Sequence, residues 1–124
     1  MEYSITHSED KLIVFLKVTG NINRQYAIEC NIAAHEYGKK LGINRYLMDL
    51  VNSRNVDTTM GNYKFAYQDM QSAPVDRDAC VAILVHPDDH SHDFIETLAK
   101  NTGLNVNLFR DRDEALSFLY DCDY

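Results

Sequence analysis

"YLMDLVNSRNVDTT", residues Tyr46 to Thr59, sets an apolar run against a polar one, and the change between them decides how the chain is read. Tyr46 to Val51 is apolar except for the acid Asp49 and reads as a buried strand. Residues 52–57 read as a polar loop. The chain then enters a helix through Asp57, Thr58 and Thr59, residue types that favour a helix N-terminus because their side-chain oxygens accept backbone N–H groups that the first turn leaves unpaired. The same acid and hydroxyls would also serve a regulated phosphorylation site.

Working outward, Tyr63, Ala66, Tyr67 and Met70 recur at helical spacing and predict a second helix that ends before Pro74. A polar linker, residues 75–78, leads to Ala79–Val85, an unbroken apolar run expected of an inner strand covered on both faces. Phe94, Ile95, Leu98 and Ala99 predict a third helix closed by Asn101-Thr102-Gly103, and Val106 to Phe109 a fifth strand. Asp111-Arg112-Asp113-Glu114 is a capping box for a last helix with Ala115, Leu116, Phe118 and Leu119 inward. Towards the N-terminus, residues 2–7 alternate and Lys11 to Val18 is nearly all apolar, with the turn Ser8-Glu9-Asp10 between them, so the start reads as a β-hairpin. Gly20 and Asn21 break that pattern. From about Ile22 to Leu41 the residues Tyr26, Cys30, Ala33, Ala34, Tyr37 and Leu41 keep helical spacing, with Gly42 placed for a left-handed cap. The order ββαβαβαβα predicts a single α/β domain over residues 1–124, with a mostly parallel or mixed five-stranded sheet packed with four helices. The loops 52–57, 86–91 and 110–111 would then share the carboxyl edge of the parallel strands, where open α/β sheets usually hold their sites.

At 124 residues the chain has the length of one ordinary domain. Its net charge of -7 repels phosphate backbones and anionic lipid, so nucleic acid is not an expected partner. The longest apolar run, Ala79 to Val85, is far too short to span a bilayer, and Met1-Glu2-Tyr3-Ser4 opens no secretory leader. The expectation is a cytoplasmic protein without membrane insertion. Cys30, Cys80 and Cys122 are odd in number and widely spaced, which predicts reduced thiols and neither a disulfide framework nor a zinc site.

The element order and the quoted stretch resemble the STAS domain family, which includes bacterial anti-anti-sigma factors and a large uncharacterised SpoIIAA-like branch related in shape to Sec14-type lipid carriers. The resemblance covers nearly the whole chain. The family pattern is an apolar strand ending in Asp-Leu, a short loop, then Asp-Ser-Ser-Gly opening a helix. Here Asp49-Leu50 is followed by Asp57-Thr58-Thr59-Met60-Gly61. In switchable members the second hydroxyl is the phosphate acceptor, which the resemblance maps to Thr59, with Thr58 beside it. Both hydroxyls are threonine here, and Met60 stands where the pattern has glycine. Phe109-Arg110-Asp111 and the strand from Ala79 to Val85 look more like the SpoIIAA-like branch, for which the resemblance implies no activity.

Other groups carry two readings each. His86, His90 and His92 lie among three aspartates in "HPDDHSHD", as weak candidates for a metal site or as a solvated turn before a helix. As helical residues two apart, His90 and His92 would diverge by about 200°. Arg54, Arg110 and Arg112 could clamp an anion, or pair with Asp57, Asp111 and Asp113. Phe65 falls off the helical stripe of Tyr63, Ala66, Tyr67 and Met70. Off that stripe it is either an exposed apolar residue that, with Met60, Tyr63 and Tyr67, marks an interface or a ligand groove, or a core or loop contact. No nucleophile elbow, Walker loop, dinucleotide fingerprint or Cys-x-x-Cys is present, and no cofactor is expected. The leading expectation is a non-enzymatic domain that meets a protein partner, or a second copy, through the loop 52–61 and the second helix. The alternative is a carrier or sensor of a small apolar, lipid-like ligand held between that helix and the sheet.

Overall fold

The computed structural model of the chain describes residues 2–122, so Met1 of the opening stretch lies outside it. β1 (Glu2–His7) alternates exposed and half-buried side chains and pairs antiparallel with β2 (Val14–Ile22). Ser8 builds the connection between them: its hydroxyl accepts the N–H groups of Leu12 and Ile13 at 3.2 and 3.1 Å and donates to Asp10. β2 does not stop at Gly20-Asn21. It continues to Ile22 because Gly20, Asn21 and Ile22 stay in register with Ser53, Arg54 and Asn55 of the next strand, and Gly20 takes a φ of 92° there. Strand pairing overrides the local turn signal.

α1 (Arg24–Leu41) opens on Asn23, whose side chain accepts the Tyr26 N–H at 3.0 Å, and closes on Gly42 at φ 69°. β3 (Arg45–Asn55) is longer than the apolar run that signals it and absorbs most of the stretch read as a loop. β4 (Cys80–Leu84) and β5 (Asn105–Phe109) complete a five-stranded sheet in the order β1-β2-β3-β4-β5, all parallel except β1. α2 runs Thr59–Lys64, passes through a π-helical turn at Phe65–Asp69 and ends in Met70–Ser72. α3 spans Asp93–Asn101 and α4 Arg112–Asp121.

The sequential strand order fixes the layers. Every parallel crossover steps the same way across the sheet, so right-handed connections place α1, α2 and α3 on one face and leave the other to α4. Two apolar clusters result. Leu16, Val18, Met48 and Ile83 belong with Cys30 and Ala34 of α1 and Ala99 of α3, while Ile13, Leu47, Ala82 and Leu84 belong with Ala115 and Leu119 of α4. Each fully buried Leu or Ile contributes about 1.5–3 kcal/mol. Without a reversal in strand order there is no switch-point crevice to mark the site.

The cysteine expectation is corrected. Cys80 at the start of β4 and Cys122 just after α4 form a disulfide, leaving Cys30 as a buried thiol. The pairing joins positions 42 residues apart, a closeness that only the packing of α4 on β4 creates. Arg45 holds the same end of α4 by donating to the carbonyls of Leu119 and Cys122 at 2.9 and 3.1 Å. Among the described residues no helix is long and apolar enough to cross a membrane.

Candidate functional site

The junction of β3 and α2 settles which residue does what in the opening stretch. Asp49 is not at the strand's exit. It lies within β3, where four residues, Asp49 to Asn52, lie opposite three, Lys17 to Thr19, on β2, and its carboxylate accepts the Val51 N–H at that irregularity, 3.2 Å away. On α4, Arg112 approaches Asp49 to 3.7 Å and also covers the Phe15 ring. Thr58 is the cap of α2, its hydroxyl accepting the Gly61 N–H at 2.9 Å. Asp57 caps a different helix: one carboxylate oxygen accepts the Arg24 N–H at the start of α1, and the other accepts the Thr58 N–H at 2.8 Å. That carboxylate presses against Gly61, where a Cβ would overlap it, so glycine is required for close approach. Thr59 opens α2 with an exposed hydroxyl that makes no hydrogen bond among the described residues.

The π turn changes which side chains of α2 face inward. The Met70 N–H reaches back to the Phe65 carbonyl, so Phe65 and Met70 come onto one face, although they are five apart in sequence. Phe65 is half-buried and lines a cavity with Ala66 and Met70, which is the contact reading of the two that its position off the stripe left open. Tyr63 stays 46% exposed and stacks on Tyr67 at 4.6 Å. Met60 and Val56 are 60% and 52% exposed, so an apolar patch rims the start of the helix. Asp69, inside the π turn, is clamped by the Arg24 guanidinium of α1, with one N–H···O at 2.8 Å, and that partner holds its carboxyl below the usual range.

The closest backbone neighbours of α2 are α1 and α3. The space it leaves is a cavity of about 120 Å³, floored by Leu16, Val18, Met48 and Ile83, walled by Ala27, Cys30 and His35 of α1 and Ile95 of α3, and roofed by Phe65, Ala66 and Met70. Burial pushes the Cys30 thiol up to about 11 and His35 down to about 4, although Asp76 opposes the latter. Both are neutral near pH 7. A ligand space between the second helix and the sheet was one expectation from the sequence, but its α1 wall was not foreseen, because α1 is buried over a wider arc than its apolar stripe. His35 and Gly38 are buried beside Cys30 and Ala34, while Leu41, at the end of the stripe, is exposed. A histidine one step off an apolar stripe was the available signal.

The carboxyl edge assembles less than its composition suggested. His86 is exposed, with Nδ1 accepting the Asp88 N–H, and His90 faces Asp93 at 2.9 Å. His92 is only 2% exposed and contacts the Ser53 carbonyl at 3.2 Å, its pKa lowered by burial. The three histidines therefore do not converge, and among the described residues no His, Cys, Asp or Glu group is arranged to hold a metal. Ser91 does not cap α3; its hydroxyl accepts the Asn55 N–H and ties that loop to β3. Nor do the arginines form an anion clamp. Arg110 pairs with Asp93 at 2.9 Å, Arg112 turns to Asp49, and only Arg54 faces the shallow depression of about 320 Å³ over this edge, together with Asp88 and Asp89. Asp111 caps α4 through the Asp113 N–H.

No family model and no curated protein matches the chain. Among solved structures, an uncharacterised protein of the DUF3478 family with a SpoIIAA-like fold, from Shewanella loihica PV-4, aligns with a TM-score of 0.56 at 14% identity, covering 95% of this chain and 92% of that one. The fold is thus SpoIIAA-like, as the order of elements implied. At that identity the likeness concerns the fold alone.

Proposed function

We propose that the chain is a non-enzymatic interaction domain, meeting a protein partner or a second copy of itself through the loop 52–61 and the outer face of α2. The observation that carries this reading is the apolar patch of Val56, Met60 and Tyr63, with Tyr67 stacked behind Tyr63. Thr59 is its regulatory element. The hydroxyl is exposed next to Met60, and a phosphate there would add a charge of about -1.5 to -2 beside the apolar contact surface.

The test is sedimentation equilibrium together with quantitative cross-linking of the purified protein, alone and with the proteins it meets in its own cells. Met60→Glu, Tyr63→Ala and Thr59→Glu should each abolish association while leaving the circular dichroism spectrum unchanged. Association that survives all three changes sinks the reading. A second reading is favoured by the cavity under the same helix, which suits a small apolar ligand. At about 120 Å³ it is too small for a phospholipid or sterol, and the ligand is correspondingly compact.

A further inference from the structure

The two edges of the sheet are finished differently. At β5 the Glu96 carboxylate of α3 accepts the Leu108 N–H, so a side chain occupies that edge. At β1 the Ser8 N–H donates to the Ile13 carbonyl at 2.9 Å, and pairing with β2 runs on in register to Glu2 opposite Thr19. Hydrogen-bonded pairs alternate along an antiparallel ladder. Thr6, Ser4 and Glu2 therefore turn their backbone groups to β2, and His7, Ile5 and Tyr3 turn theirs outward. Among the described residues those outward groups have no partner. Nor does β1 carry a proline, a lysine or a bulge that would keep another strand away.

The side chains along this edge are arranged about Ile5. On one side of it Tyr3 meets Tyr26 of α1 edge-on at 5.8 Å, and on the other His7 stacks on Tyr37 of α1 at 6.3 Å. Tyr3, Ile5 and His7 are half-buried, while Glu2, Ser4 and Thr6 on the other face are exposed.

We propose that β1 pairs antiparallel with β1 of a second copy, about a two-fold axis at Ile5, joining the two sheets into one. Centring on Ile5 uses all three outward residues and forms about six N–H···O bonds. It sets Ile5 against the partner's Ile5 and Tyr3 against the partner's His7, so each aromatic pair meets the other kind. On the exposed face Ser4 falls opposite the partner's Thr6. Glu2, the only acid of β1, falls opposite the partner's Ser8, so no like charges meet across the strands although each copy carries a net charge of -7. This surface belongs to other elements than the α2 patch. Association through that patch is therefore read in a chain whose β1 edge has been closed by Ser4→Glu and Thr6→Glu.

Sedimentation equilibrium paired with amide exchange tests the proposal. Wild type should pass from monomer to dimer as it is concentrated. In the dimer the amides of Tyr3, Ile5 and His7 should exchange about tenfold or more slowly, while β2 protects those of Ser4 and Thr6 throughout. The chain with Ser4→Glu and Thr6→Glu, both exposed positions, would set like charges directly opposite in the dimer and should stay monomeric. A chain with Ser4→Lys and Thr6→Lys should do the same, and the two mixed should form a heterodimer. Wild type that stays monomeric into the millimolar range overturns the proposal. So do folded variants that dimerise as wild type does, or that fail to pair with each other. Should the variants not fold, the wild-type exchange pattern decides: Tyr3, Ile5 and His7 amides that exchange alike at every concentration overturn the pairing.

Discussion

On the face covered by α4, Ile13, Leu47, Ala82, Leu84, Ala115 and Leu119 close against one another. On the opposite face Leu16, Val18, Met48 and Ile83 border about 120 Å³ of unfilled space. The side chains of the two sets are equally apolar, so composition does not separate them. What differs is where the covering helix rests. α4 lies directly on the strands and is fastened by a disulfide and by Arg45. α2 is propped on α1 and α3 and fastened by the Arg24–Asp69 clamp, with a π turn in its middle. A helix seated on a sheet makes core; a helix seated on other helices above a sheet makes room.

The largest effect should come from emptying the closed face. Leu119→Ala removes a fully buried side chain from a site with no space to collapse into and should cost about 2–5 kcal/mol in urea unfolding. Met70→Ala, half-buried at the roof of the cavity, should cost less than about 1.5 kcal/mol because its neighbours already border unfilled space. Equal losses would erase the distinction between the faces. Next in size is the fastening of α4. Cys122→Ser should lower stability by about 2–4 kcal/mol, as expected for opening a loop of 42 residues, and a thiol reductant should bring the wild type to the same value. A variant as stable as the oxidised wild type would mean the packing of α4 needs no staple.

The hollow face should be the acid-sensitive one. His35 is held neutral in the fold, pushed down to about 4 by burial, against about 6.5 when unfolded. The unfolded chain therefore binds more protons across that interval, so stability is full above about pH 6.5 and falls as pH drops towards 4. Between about pH 7.5 and about pH 5 the loss from His35 should be on the order of 2 kcal/mol, read from urea midpoints. His92, also lowered by burial, adds to the same limb, so the measurement is the difference between wild type and His35→Gln. Asp69, held down by Arg24, together with Asp89 and Asp93, acts with the carboxylate sign and gives up its stabilisation only at lower pH. An unchanged slope in His35→Gln would show that the ring is already open to solvent.

Local pattern made the closed face and the order of elements legible. The alternation of residues 2–7, the apolar run at β4, the Asp111 cap and the inward Ala115 and Leu119 all follow from periods of two and 3.6 residues. The Thr58 cap was legible as chemistry, although Asp57 turned out to serve α1 from 33 residues away. What stayed hidden depends on tertiary contact. The π turn cannot be read from a 3.6-residue period, and it brings Phe65 onto the cavity face with Met70 while Tyr63, on the apolar stripe, stays exposed. The Cys80–Cys122 pair was obscured by an odd cysteine count, and the α1 wall of the cavity by a second buried arc that carries His35. Sequence thus pointed to a space between α2 and the sheet, while the π turn above it and the α1 wall beside it come only from tertiary packing.

The smallest effect is also the sharpest, because it compares two valines on one strand and one face. Val14 and Val18 of β2 are both fully buried in the same cluster, yet only Val18 lines the cavity. Val18→Ile adds one methylene that can extend into existing space and should stabilise by up to about 0.8 kcal/mol. Val14→Ile adds the same group where packing is complete and should cost about 1 kcal/mol through displaced neighbours. Paired urea unfolding of the two variants measures the sign directly. If both lose stability alike, the cavity closes in solution and α2 must sit lower on the sheet than its contacts with α1 and α3 allow. If the signs are opposite, the room under α2 is a permanent feature, kept at the expense of stability that one methylene would restore.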